Sequence, residues 1–585
     1  MSQGNSSQLL RNRPKILLII FFSALSVKLL IFFLATDPIV FFKYPYFAQR
    51  ISEGFDIGER ILDLSPLYLY VNLFIYKIYG KNWEVLAVLQ IFMGSLNCLL
   101  VYFIGEKVFG RAVGLIAAFV LLLYGNLTVV ELTLEPESFV LLFNSLLVLI
   151  LIQDHAETNP RKNSWRWLLA GAVIGLAAIT KPNALLLLPV ALLWVWQKHP
   201  SPTKAIKAML LLTAGTALLI SPITMRNYVK FQDFTLLTAD SGKVFFHGNG
   251  PGSTGMERAD LPDQGFAEES QSEPDYAHVL FRKAARALTG RPLKPSECAR
   301  FWVGYTLDYM RAHPLSAFIL EVKKFFYFWG NYEVHDIDSA YKNYRTLQTW
   351  PLLPFGIISA LGIVGLGLAL KKFRQAFLLY AMILVYLFSA LVFFVASRYR
   401  LPAAPFLAIF AAYTVTSLYT QLRERRLRRL LACAGLVAAL LAGTHLLFRN
   451  EIETIDRWQR ATRIHYSLRG NLFFKKGLYR EAIQEFAKAI ELEPGFAPAH
   501  NRLGMSYAAL NDFDRAEKNF RKVIELSPGI DQGYLNLGLL YELKGKPSKA
   551  LPLLEKAFLL NPANPKTKEH LQKLKAGGEN PSLLH

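Results

Sequence analysis

The hydrophobic positions of the chain fall into long runs that are separated by polar segments, from residue 15 to residue 448. A run of about 17 to 22 mostly apolar residues is long enough to cross a hydrocarbon core of about 30 Å as a helix. The pattern therefore predicts eleven membrane spans. They are 15–36, 85–104, 112–126, 137–153, 167–181, 183–197, 208–225, 352–370, 376–396, 401–420 and 430–448, and the three shortest are also compatible with shifted or broken helices.

The segments between the runs predict an orientation. With a cytoplasmic N-terminus, the strongly basic segments all fall on the cytoplasmic side, as the positive-inside rule requires; they are "EKVFGR", "NPRKNSWR", "QKHPSPTKAIK", "KKFRQ" and "QLRERRLRR". The longer polar segments, 37–84, 226–351 and the tail after 448, then lie outside. We therefore expect a multi-pass inner or plasma membrane protein with extracytoplasmic loops and an extracytoplasmic C-terminal part.

The C-terminal part carries an internal repeat of 34 residues. Three sets of identical residues keep this spacing: Gly470, Gly504 and Gly538; Ala482, Ala516 and Ala550; and Pro494, Pro528 and Pro562. The period and these residue types resemble the tetratricopeptide repeat, which has two antiparallel helices per copy. The sequence thus predicts an all-α membrane domain at 1–448, a linker at 449–462, three repeats forming an α-solenoid at 463–575 and a tail at 576–585. We expect the repeats to bind a protein partner or the acceptor and to carry no catalytic site.

Composition agrees with a membrane protein, since 53% of residues are hydrophobic and 13% aromatic. The net charge of +21 comes mainly from short basic runs beside apolar spans, which indicates membrane orientation and argues against nucleic-acid binding. Three scattered cysteines exclude a disulfide framework or a zinc site. His247 and His335 have no second ligand at useful spacing, and "FHGNGPGSTG" lacks the residues of a phosphate-binding loop, so it is interpreted as a cluster of turns.

Four basic residues are predicted at helix ends on the outer face, where the orientation rule does not expect them: Lys181, Arg226, Arg398 and Arg400. Each one alone is compatible with a side chain that reaches for lipid headgroups. Together they suggest a basic pocket for a phosphate at membrane depth, because the planar guanidinium binds phosphate oxygens through two hydrogen bonds and keeps its charge when partly buried.

Acidic residues are predicted on the same face. Asp37 follows the first span, and Glu131, Glu135 and Glu137 cluster before and at the start of the fourth. A carboxylate facing lipid is costly, so acids here are expected to line a cavity, where one could act as a general base. We interpret Glu131 and Glu135 as helix-capping residues, and Asp37 and Glu137 as candidates for catalysis.

With these residues, a series of motifs resembles the membrane glycosyltransferases of the C-type fold, in particular protein O-mannosyltransferases and the aminoarabinose transferase of lipid A. The resemblance covers roughly residues 15–420. It includes an acid after the first span, then Tyr46, Ala48, Ile51 and Gly54, and the segments "SPLYLYVNLFIYKIYG", "FGRAVGLIAA", "LEPESF", "RNYVKFQDFTLLTADSGKVFFHGNGPGSTG" and "SRYRLPAAPFLAIFAA".

The resemblance implies transfer of a sugar from a polyprenyl-phosphate donor to a lipid, glycan or protein acceptor on the non-cytoplasmic side. By position, Asp37 is then the candidate base, Glu137 matches the acid after proline, and Arg398 and Arg400 match the basic pair that binds the lipid phosphate. One departure concerns the base. Many relatives have an aspartate a few residues before the tyrosine that matches Tyr46, where this chain has "FFKYPY", so Asp56 and Asp63 remain alternatives to Asp37.

Two other functions compete with this one. The first is a ligase or polymerase that moves whole glycans from a polyprenyl diphosphate, and the order of the motifs favours the single-sugar transferase over it. The second is a membrane-anchored repeat scaffold without enzymatic activity, for which eleven spans are more than an anchor needs. The sequence leaves open the sugar, the acceptor and a requirement for a divalent metal.

Overall fold

The computed structural model describes residues 13–34, 43–54, 58–80, 82–132, 134–153, 160–199, 201–256, 276–331 and 352–446, and 466–578 apart from 468–469, 472, 475–476 and 562–563. The chain divides into two compact units. The first, here the membrane unit, comprises Met1–Pro262 and Phe281–Leu447, and the second, here the repeat unit, comprises Asp263–Leu280 and Phe448–His585. Regular structure in the described residues is helical, apart from one isolated bridge between Tyr124 and Leu353.

The first ten helices, in chain order, are α1 (Arg13–Leu34), α2 (Lys43–Ser52), α3 (Pro66–Tyr79), α4 (Glu84–Phe109), α5 (Arg111–Leu123), α6 (Gly125–Leu132), α7 (Glu137–Ile152), α8 (Pro160–Thr180), α9 (Leu187–Lys198) and α10 (Pro202–Phe231). They are followed by α11 (Ser241–Asn249), α12 (Tyr276–Thr289), α13 (Pro295–Ala312), α14 (Pro314–Trp329), α15 (Phe355–Leu368), α16 (Phe373–Val392), α17 (Ser397–Arg400), α18 (Ala404–Arg423) and α19 (Leu427–Leu446).

Each of the eleven predicted spans overlaps at least one helix of this series within the described residues. Among the described residues, five helical stretches are long and apolar enough to cross a membrane: Pro14–Phe33, Glu84–Phe109, Pro202–Phe231, Phe355–Val392 and Ser397–Arg423. Shorter apolar helices lie at Arg111–Leu123, Glu137–Ile152 and Ser164–Thr180. An integral membrane protein is therefore indicated, and the number of eleven spans stays a prediction.

The long stretch 355–392 is two helices that fold back on each other. A 3-10 helix, Ala369–Lys372, separates α15 from α16. The Tyr380 hydroxyl of α16 donates a hydrogen bond of 2.5 Å to the carbonyl oxygen of Leu366 in α15. Residues fourteen apart in a continuous helix would lie about 21 Å apart along its axis, so this contact requires a reversal of the chain. The basic segment "KKFRQ" begins in this turn.

Close packing of α8 on α10 shows how the apolar helices associate. A Cβ atom on Gly171 would lie 1.9 Å from the carbonyl oxygen of Leu212, and one on Gly215 would lie 2.2 Å from that of Leu168. Only glycine therefore fits at both positions of this helix pair. Small residues that let two backbones approach are typical of helix contacts in membranes, where no hydrophobic force favours one apolar surface over another.

The polar segments predicted to lie outside contain helices that the hydrophobic pattern did not predict, namely α2 and α11 to α14. The motif "SPLYLYVNLFIYKIYG" forms α3. The interpretation of "FHGNGPGSTG" as turns alone is wrong for its first part, because α11 continues to Asn249. A Cβ atom on Gly248 would lie 1.7 Å from the carbonyl oxygen of Phe393, so the glycine allows this helix to pack against the chain just after α16.

In the repeat unit the described helices from residue 479 onward form antiparallel pairs at the predicted period. They are α20 (Tyr479–Leu492), α21 (Ala497–Ala509), α22 (Phe513–Leu526), α23 (Asp531–Leu543), α24 (Pro547–Leu560) and α25 (Pro565–Gly578). The repeated glycine has a packing role: a Cβ atom on Gly504 would lie 2.7 Å from the ring of Phe520, and Gly470 and Gly538 face Phe486 and Leu554 in the same way.

Candidate functional site

The start of α7 presents two buried carboxylates. Glu137 is the first residue of α7, Pro136 is the N-cap residue of this helix, and Glu135 precedes Pro136. Their side chains are 0% and 3% exposed. A carboxylate at the first turn of a helix is favoured by the helix dipole, but at this depth each charge also needs a partner.

Two of the predicted cations supply these partners. Lys181 forms an ion pair with Glu137. Nη1 of Arg398 lies 3.3 Å from Oε2 of Glu135. The residues of the second pair are 263 positions apart in the chain, so the fold brings together acids and bases that the sequence keeps far apart.

The ring of Tyr399 joins the two pairs. Its centroid lies 4.6 Å from Nζ of Lys181 and 5.0 Å from Cζ of Arg398. A cation within about 6 Å of an aromatic centroid is attracted by the ring's negative face. We call Glu135, Glu137, Lys181, Arg398 and Tyr399 the charged cluster.

The exposed part of the charged cluster is cationic. The side chains of Lys181 and Arg398 are 13% and 21% exposed, whereas those of Glu137 and Glu135 are 0% and 3% exposed. The acids thus lie behind the bases. A ligand that approaches from the open side meets ammonium and guanidinium groups first, and this arrangement is suited to an anion.

The backbone that carries Lys181 is fixed from two sides. It follows the last residue of α8, Thr180, whose carbonyl oxygen accepts a hydrogen bond of 2.5 Å from the Ser65 hydroxyl. Two residues after Lys181, the amide of Asn183 donates to the Ser389 hydroxyl of α16 at 2.9 Å. These contacts place the end of α8 against the start of α3 and against α16, so the position of the lysine is set by three parts of the fold.

Buried polar groups of α2, α3 and α4 lie next to the acids. Gln90 of α4 donates to the carbonyl oxygen of Glu135 at 2.5 Å and accepts from the Tyr68 hydroxyl at 3.3 Å. The Tyr68 ring meets the ring of Tyr44 edge to face, with centroids 4.9 Å apart. Burial, together with the nearby Glu135 carboxylate, raises the pKa of Tyr44 well above its usual value. Tyr44 therefore stays a neutral phenol beside the cluster.

Sequence reasoning missed Tyr44, Tyr68 and Gln90 as members of this neighbourhood. Tyr68 is one of several tyrosines in the apolar run "SPLYLYVNLFIYKIYG", and the sequence does not distinguish it from the others. The available signal for Tyr44 was the segment "FFKYPY" at 41–46. Tyr44 stands in this segment, where the resemblance to the glycosyltransferases predicts an acid. Gln90 is a lone amide in the apolar run of α4 and gave no pattern of its own.

Arg400 lies apart from the charged cluster. It is 1% exposed, and its Nη1 donates to the backbone carbonyl oxygens of Tyr327, Phe328 and Gly330 at 3.1, 3.3 and 2.8 Å. Its Cζ lies 3.9 Å from the ring centroid of Phe355. The guanidinium thus binds carbonyl groups at the C-terminus of α14, where basic side chains commonly donate hydrogen bonds to the last carbonyl groups of a helix. This position does not fit the predicted contact with a phosphate.

Arg226 has its contacts elsewhere as well. At the end of α10, it donates to the Tyr70 hydroxyl at 2.9 Å and to Oδ1 of Asn227 at 2.7 Å. Of the four predicted phosphate-binding residues, the structure therefore brings Lys181 and Arg398 together and leaves Arg400 and Arg226 in other contacts.

The candidate bases can be placed only in part. Asp37 and Asp56 lie outside the described residues, and only the backbone of Asp63 is described, at the end of the 3-10 helix Gly58–Asp63. Within the described part of the chain, no group of three or more His, Cys, Asp or Glu side chains could hold a metal ion.

The interpretation of Glu131 and Glu135 as helix caps is wrong. No side chain caps α7, whose N-cap position is Pro136. Glu135 pairs with Arg398, and Oε1 of Glu131 lies 2.5 Å from Nζ of Lys28 in α1, with both side chains 0% exposed. Burial makes ion pairing the decisive requirement for both acids, and the sequence gives no local sign of the distant partner.

Among known protein families, the one described as dolichyl-phosphate-mannose-protein mannosyltransferase has a profile that matches residues 63–225. This stretch of the membrane unit is thus similar to the protein mannosyltransferase family. The match includes Glu135, Glu137 and Lys181 of the charged cluster. Tetratricopeptide repeat profiles match residues 470–511, 497–529 and 531–564. The predicted resemblance and the predicted fold class, a helical membrane protein with C-terminal tetratricopeptide repeats, are thus confirmed.

Solved structures add weaker likenesses. An oligosaccharyltransferase of Archaeoglobus fulgidus tethered to an acceptor peptide is 14% identical, with a TM-score of 0.42 over 74% of this chain and 55% of its own. The archaeal oligosaccharyltransferase AglB of that organism, in complex with an inhibitory peptide and a dolichol-phosphate, is 12% identical, with a TM-score of 0.41 over 74% of this chain and 56% of its own. The chain spans about half the length of these two proteins.

The first tetratricopeptide domain of human RPAP3 is 23% identical, with a TM-score of 0.20 over 20% of this chain and 92% of its own. A search of curated proteins found no match.

Proposed function

We propose that the protein transfers a sugar from a polyprenyl-phosphate donor to a lipid, glycan or protein acceptor on the non-cytoplasmic side of the membrane. The observation that carries the proposal is the charged cluster, in which Lys181 and Arg398 present the exposed atoms and Glu137 and Glu135 lie behind them. The match of residues 63–225 to a family described by dolichyl-phosphate-mannose supports a lipid-phosphate donor.

The phosphate of the sugar donor binds at the open side of the charged cluster. Arg398 offers a planar guanidinium, which can bind two phosphate oxygens, and Lys181 offers a point charge. The leaving group is a phosphate monoester, which carries about −1.5 to −2 charges at pH 7, more than the diester from which it forms. The two cations are therefore expected to stabilise the transition state more than the bound substrate.

The transfer itself breaks one bond and forms one. A hydroxyl or amine of the acceptor attacks the anomeric carbon, while the bond from this carbon to the phosphate oxygen breaks and its electron pair leaves with the polyprenyl phosphate. The acceptor's proton passes to a carboxylate, for which we propose Asp37. The configuration at the anomeric carbon inverts, because the attack comes from the side opposite to the leaving group.

Glu137 has a positioning role in this proposal. It is fully buried and paired with Lys181, so it is placed to orient the ammonium group and not to reach an acceptor. Glu135 does the same for Arg398. Arg400 holds α17 against the end of α14, and we assign it to the support of its neighbour Arg398.

The repeat unit is proposed to bind the acceptor or a partner protein and to lie on the extracytoplasmic side. The distribution of basic segments and the odd number of predicted spans support this side. A reporter that is active only in the cytoplasm, fused after His585, is expected to be silent, and activity of that reporter would contradict the predicted orientation.

The experiment that tests the function is a transfer assay with purified protein in lipid nanodiscs. A synthetic polyprenyl-phosphate sugar is offered with a small soluble acceptor, and the released polyprenyl carrier, a phosphate or a diphosphate according to the sugar donor, is measured. The matched control is the same sugar on polyprenyl diphosphate. Release from the monophosphate alone supports the proposal, whereas release only from the diphosphate indicates the ligase or polymerase. Release from neither sugar donor with any acceptor tested would favour the scaffold.

A further inference from the structure

Helix α1 contacts the rest of the membrane unit along one narrow stripe. Its buried residues are Ala24, Lys28 and Ile31, which are 0%, 0% and 1% exposed. The spacing of four and three residues places them on one helix face. Elsewhere the helix is open, with Phe22 54% and Phe33 75% exposed. A lysine thus lies at the centre of the contact that seats this helix.

The partner of Lys28 fixes how α1 is seated. Oε1 of Glu131 in α6 lies 2.5 Å from the ammonium nitrogen, and neither side chain is exposed. Removing two charges from water costs several kcal/mol per ion, and only close pairing offsets this cost. A shift of α1 by one turn, about 5.4 Å, would separate the charges and leave both of them buried without a partner. The pair therefore selects one register and one rotation of α1.

The residues around the Lys28–Glu131 pair leave space for it and form an apolar contact beside it. A Cβ atom on Gly94 of α4 would lie 1.8 Å from Oε1 of Glu131 and 2.6 Å from Nζ of Lys28, so a side chain at this position would displace the two paired groups. Ile31, Ile91, Val129 and Leu132 form an apolar cluster from the same three helices. Three helices thus meet at one ion pair with an apolar contact beside it.

Both partners lie on elements that lead directly into candidate site residues. Helix α1 ends at Leu34, three residues before Asp37, and α6 ends at Leu132, three residues before Glu135. We propose that the Lys28–Glu131 ion pair is a positioning device that sets the register of α1 against α4 and α6, and thereby the position of the end of α1, Leu34, relative to the charged cluster. The catalytic part of this inference rests on the proposed function.

The decisive variant removes both charges together. A Lys28→Met/Glu131→Leu double variant has no buried charge, so its thermal midpoint is expected to stay near that of the wild type, as replacement of buried ion pairs by apolar residues often allows. In this variant the contact between α1 and its neighbours is entirely apolar, so it does not favour one register of α1 over another. We therefore expect kcat to fall by about 10²-fold or more, because a misplacement of only about 1 Å can already cost this much, with KM for the sugar donor unchanged.

A packing variant serves as the matched control. Ile31→Ala weakens the same stripe but keeps the ion pair, so it is expected to lower the thermal midpoint while kcat stays within about 2-fold of the wild type. A wild-type kcat in the double variant, or an equal loss of kcat in Ile31→Ala, would overturn the inference. If the double variant does not fold, Glu131→Gln is measured in its place and is expected to lower kcat in the same direction.

A distance measurement separates this inference from the proposed function. Spin labels are attached at Phe33→Cys and Phe74→Cys, two exposed positions in α1 and α3, in a chain whose three native cysteines are replaced. The wild-type pair is expected to give one narrow distance distribution, and the double variant a shift or broadening of about 5 Å, one helical turn. An unchanged distribution overturns the positioning role. A wild type that transfers no sugar overturns the proposed function and leaves this readout valid.

Discussion

The two units of the chain use charge in opposite ways. In the repeat unit, ion pairs lie at the surface: Arg521 and Glu517, four residues apart, are 64% and 21% exposed, and Lys544 and Asp514 are 15% and 97% exposed. In the membrane unit, the three acids Glu131, Glu135 and Glu137 are at most 3% exposed, and each is paired with a base from a distant part of the chain.

This difference in burial separates ion pairs that contribute little to stability from ion pairs that are retained for a function. Exposed pairs typically contribute only about 0 to 1 kcal/mol, so those of the repeat unit can be lost one at a time. Breaking a buried pair costs about 3 to 5 kcal/mol, so buried pairs persist where they have a function to serve. The comparison supports the proposal that the membrane unit carries the chemistry and the repeat unit the recognition.

The largest expected effect tests the base in the membrane unit. Asp37→Asn is expected to keep binding of the sugar donor but to lower kcat by about 10²-fold or more, the usual scale for loss of a general base. Turnover and binding are measured separately in nanodiscs. Full activity of Asp37→Asn together with inactivity of Asp56→Asn or Asp63→Asn would move the base to a later residue, and activity of all three variants would remove it from the first external loop.

A second prediction separates two arginines that are two residues apart. Arg398→Ala is expected to weaken binding of the sugar donor by about 10- to 100-fold, since a charged hydrogen-bond donor contributes about 1.5 to 3 kcal/mol, and Arg398→Lys is expected to restore binding only in part. Because Arg398→Ala also removes the cation paired with the buried Glu135 carboxylate, its thermal midpoint is expected to fall as well, and the loss of donor binding is the readout that assigns its role. Arg400→Ala removes the guanidinium from which three carbonyl groups accept hydrogen bonds, and it is expected to lower the thermal midpoint of the membrane unit without weakening binding of the sugar donor.

The opposite pattern would contradict this assignment. If Arg400→Ala weakened binding of the sugar donor at an unchanged thermal midpoint, Arg400 would be a phosphate ligand, as the sequence motif predicts. Thermal unfolding and binding measured on the same samples distinguish the two roles.

A third prediction concerns packing in the repeat unit. Gly504→Val is expected to destabilise a fragment of residues 463–578 by about 1 to 3 kcal/mol, because the added side chain meets the Phe520 ring. Gly529→Val is the matched control, since no atom lies within 4 Å of a Cβ at that position. Urea unfolding followed by circular dichroism measures both. Equal effects of the two substitutions would show that the glycine register has no packing role.

The smallest effect concerns pH. Partial burial raises the pKa of Glu517, but hydrogen bonds from Tyr541 and Lys544 outweigh it and hold this pKa below the usual value of 4.5. The carboxylate therefore stabilises the folded repeat unit above pH 4.5, and this contribution is lost as the pH falls through the lower folded pKa. Glu517→Gln is expected to reduce the decrease in the free energy of unfolding that the repeat unit shows as the pH is lowered below 5. A variant with the wild-type slope would exclude this group as its source.

How much the sequence predicts also differs between the units. In the repeat unit the contacts recur with the period, so Gly504 facing Phe520 could be predicted from the register alone. In the membrane unit, hydrophobic runs predict the helices, and a family resemblance indicates Glu137 and Arg398. The pairing of Glu135 with Arg398 and of Lys28 with Glu131 could not be predicted, because it depends on how helices pack and not on local spacing.

Arg400 is a residue for which the sequence predicted a ligand but not the tertiary contact that the side chain makes. Its motif position and charge indicated a phosphate ligand, and the end of α14, more than sixty residues earlier in the chain, takes its hydrogen bonds instead. Residue type predicts the chemistry that a side chain can perform, while the tertiary partner decides which of these possibilities is used.

The central claim is that the open side of the charged cluster binds the phosphate of a polyprenyl lipid. The most direct test is equilibrium binding of a short-chain polyprenyl phosphate to the protein in nanodiscs, with Arg398→Gln and Lys181→Gln compared with Arg423→Gln, an exposed arginine at the end of α18. We predict that Kd rises by about 10-fold or more in each of the first two variants, the effect of about 1.4 kcal/mol, and stays within about 2-fold in the third. Equal affinity of all four proteins would contradict the account.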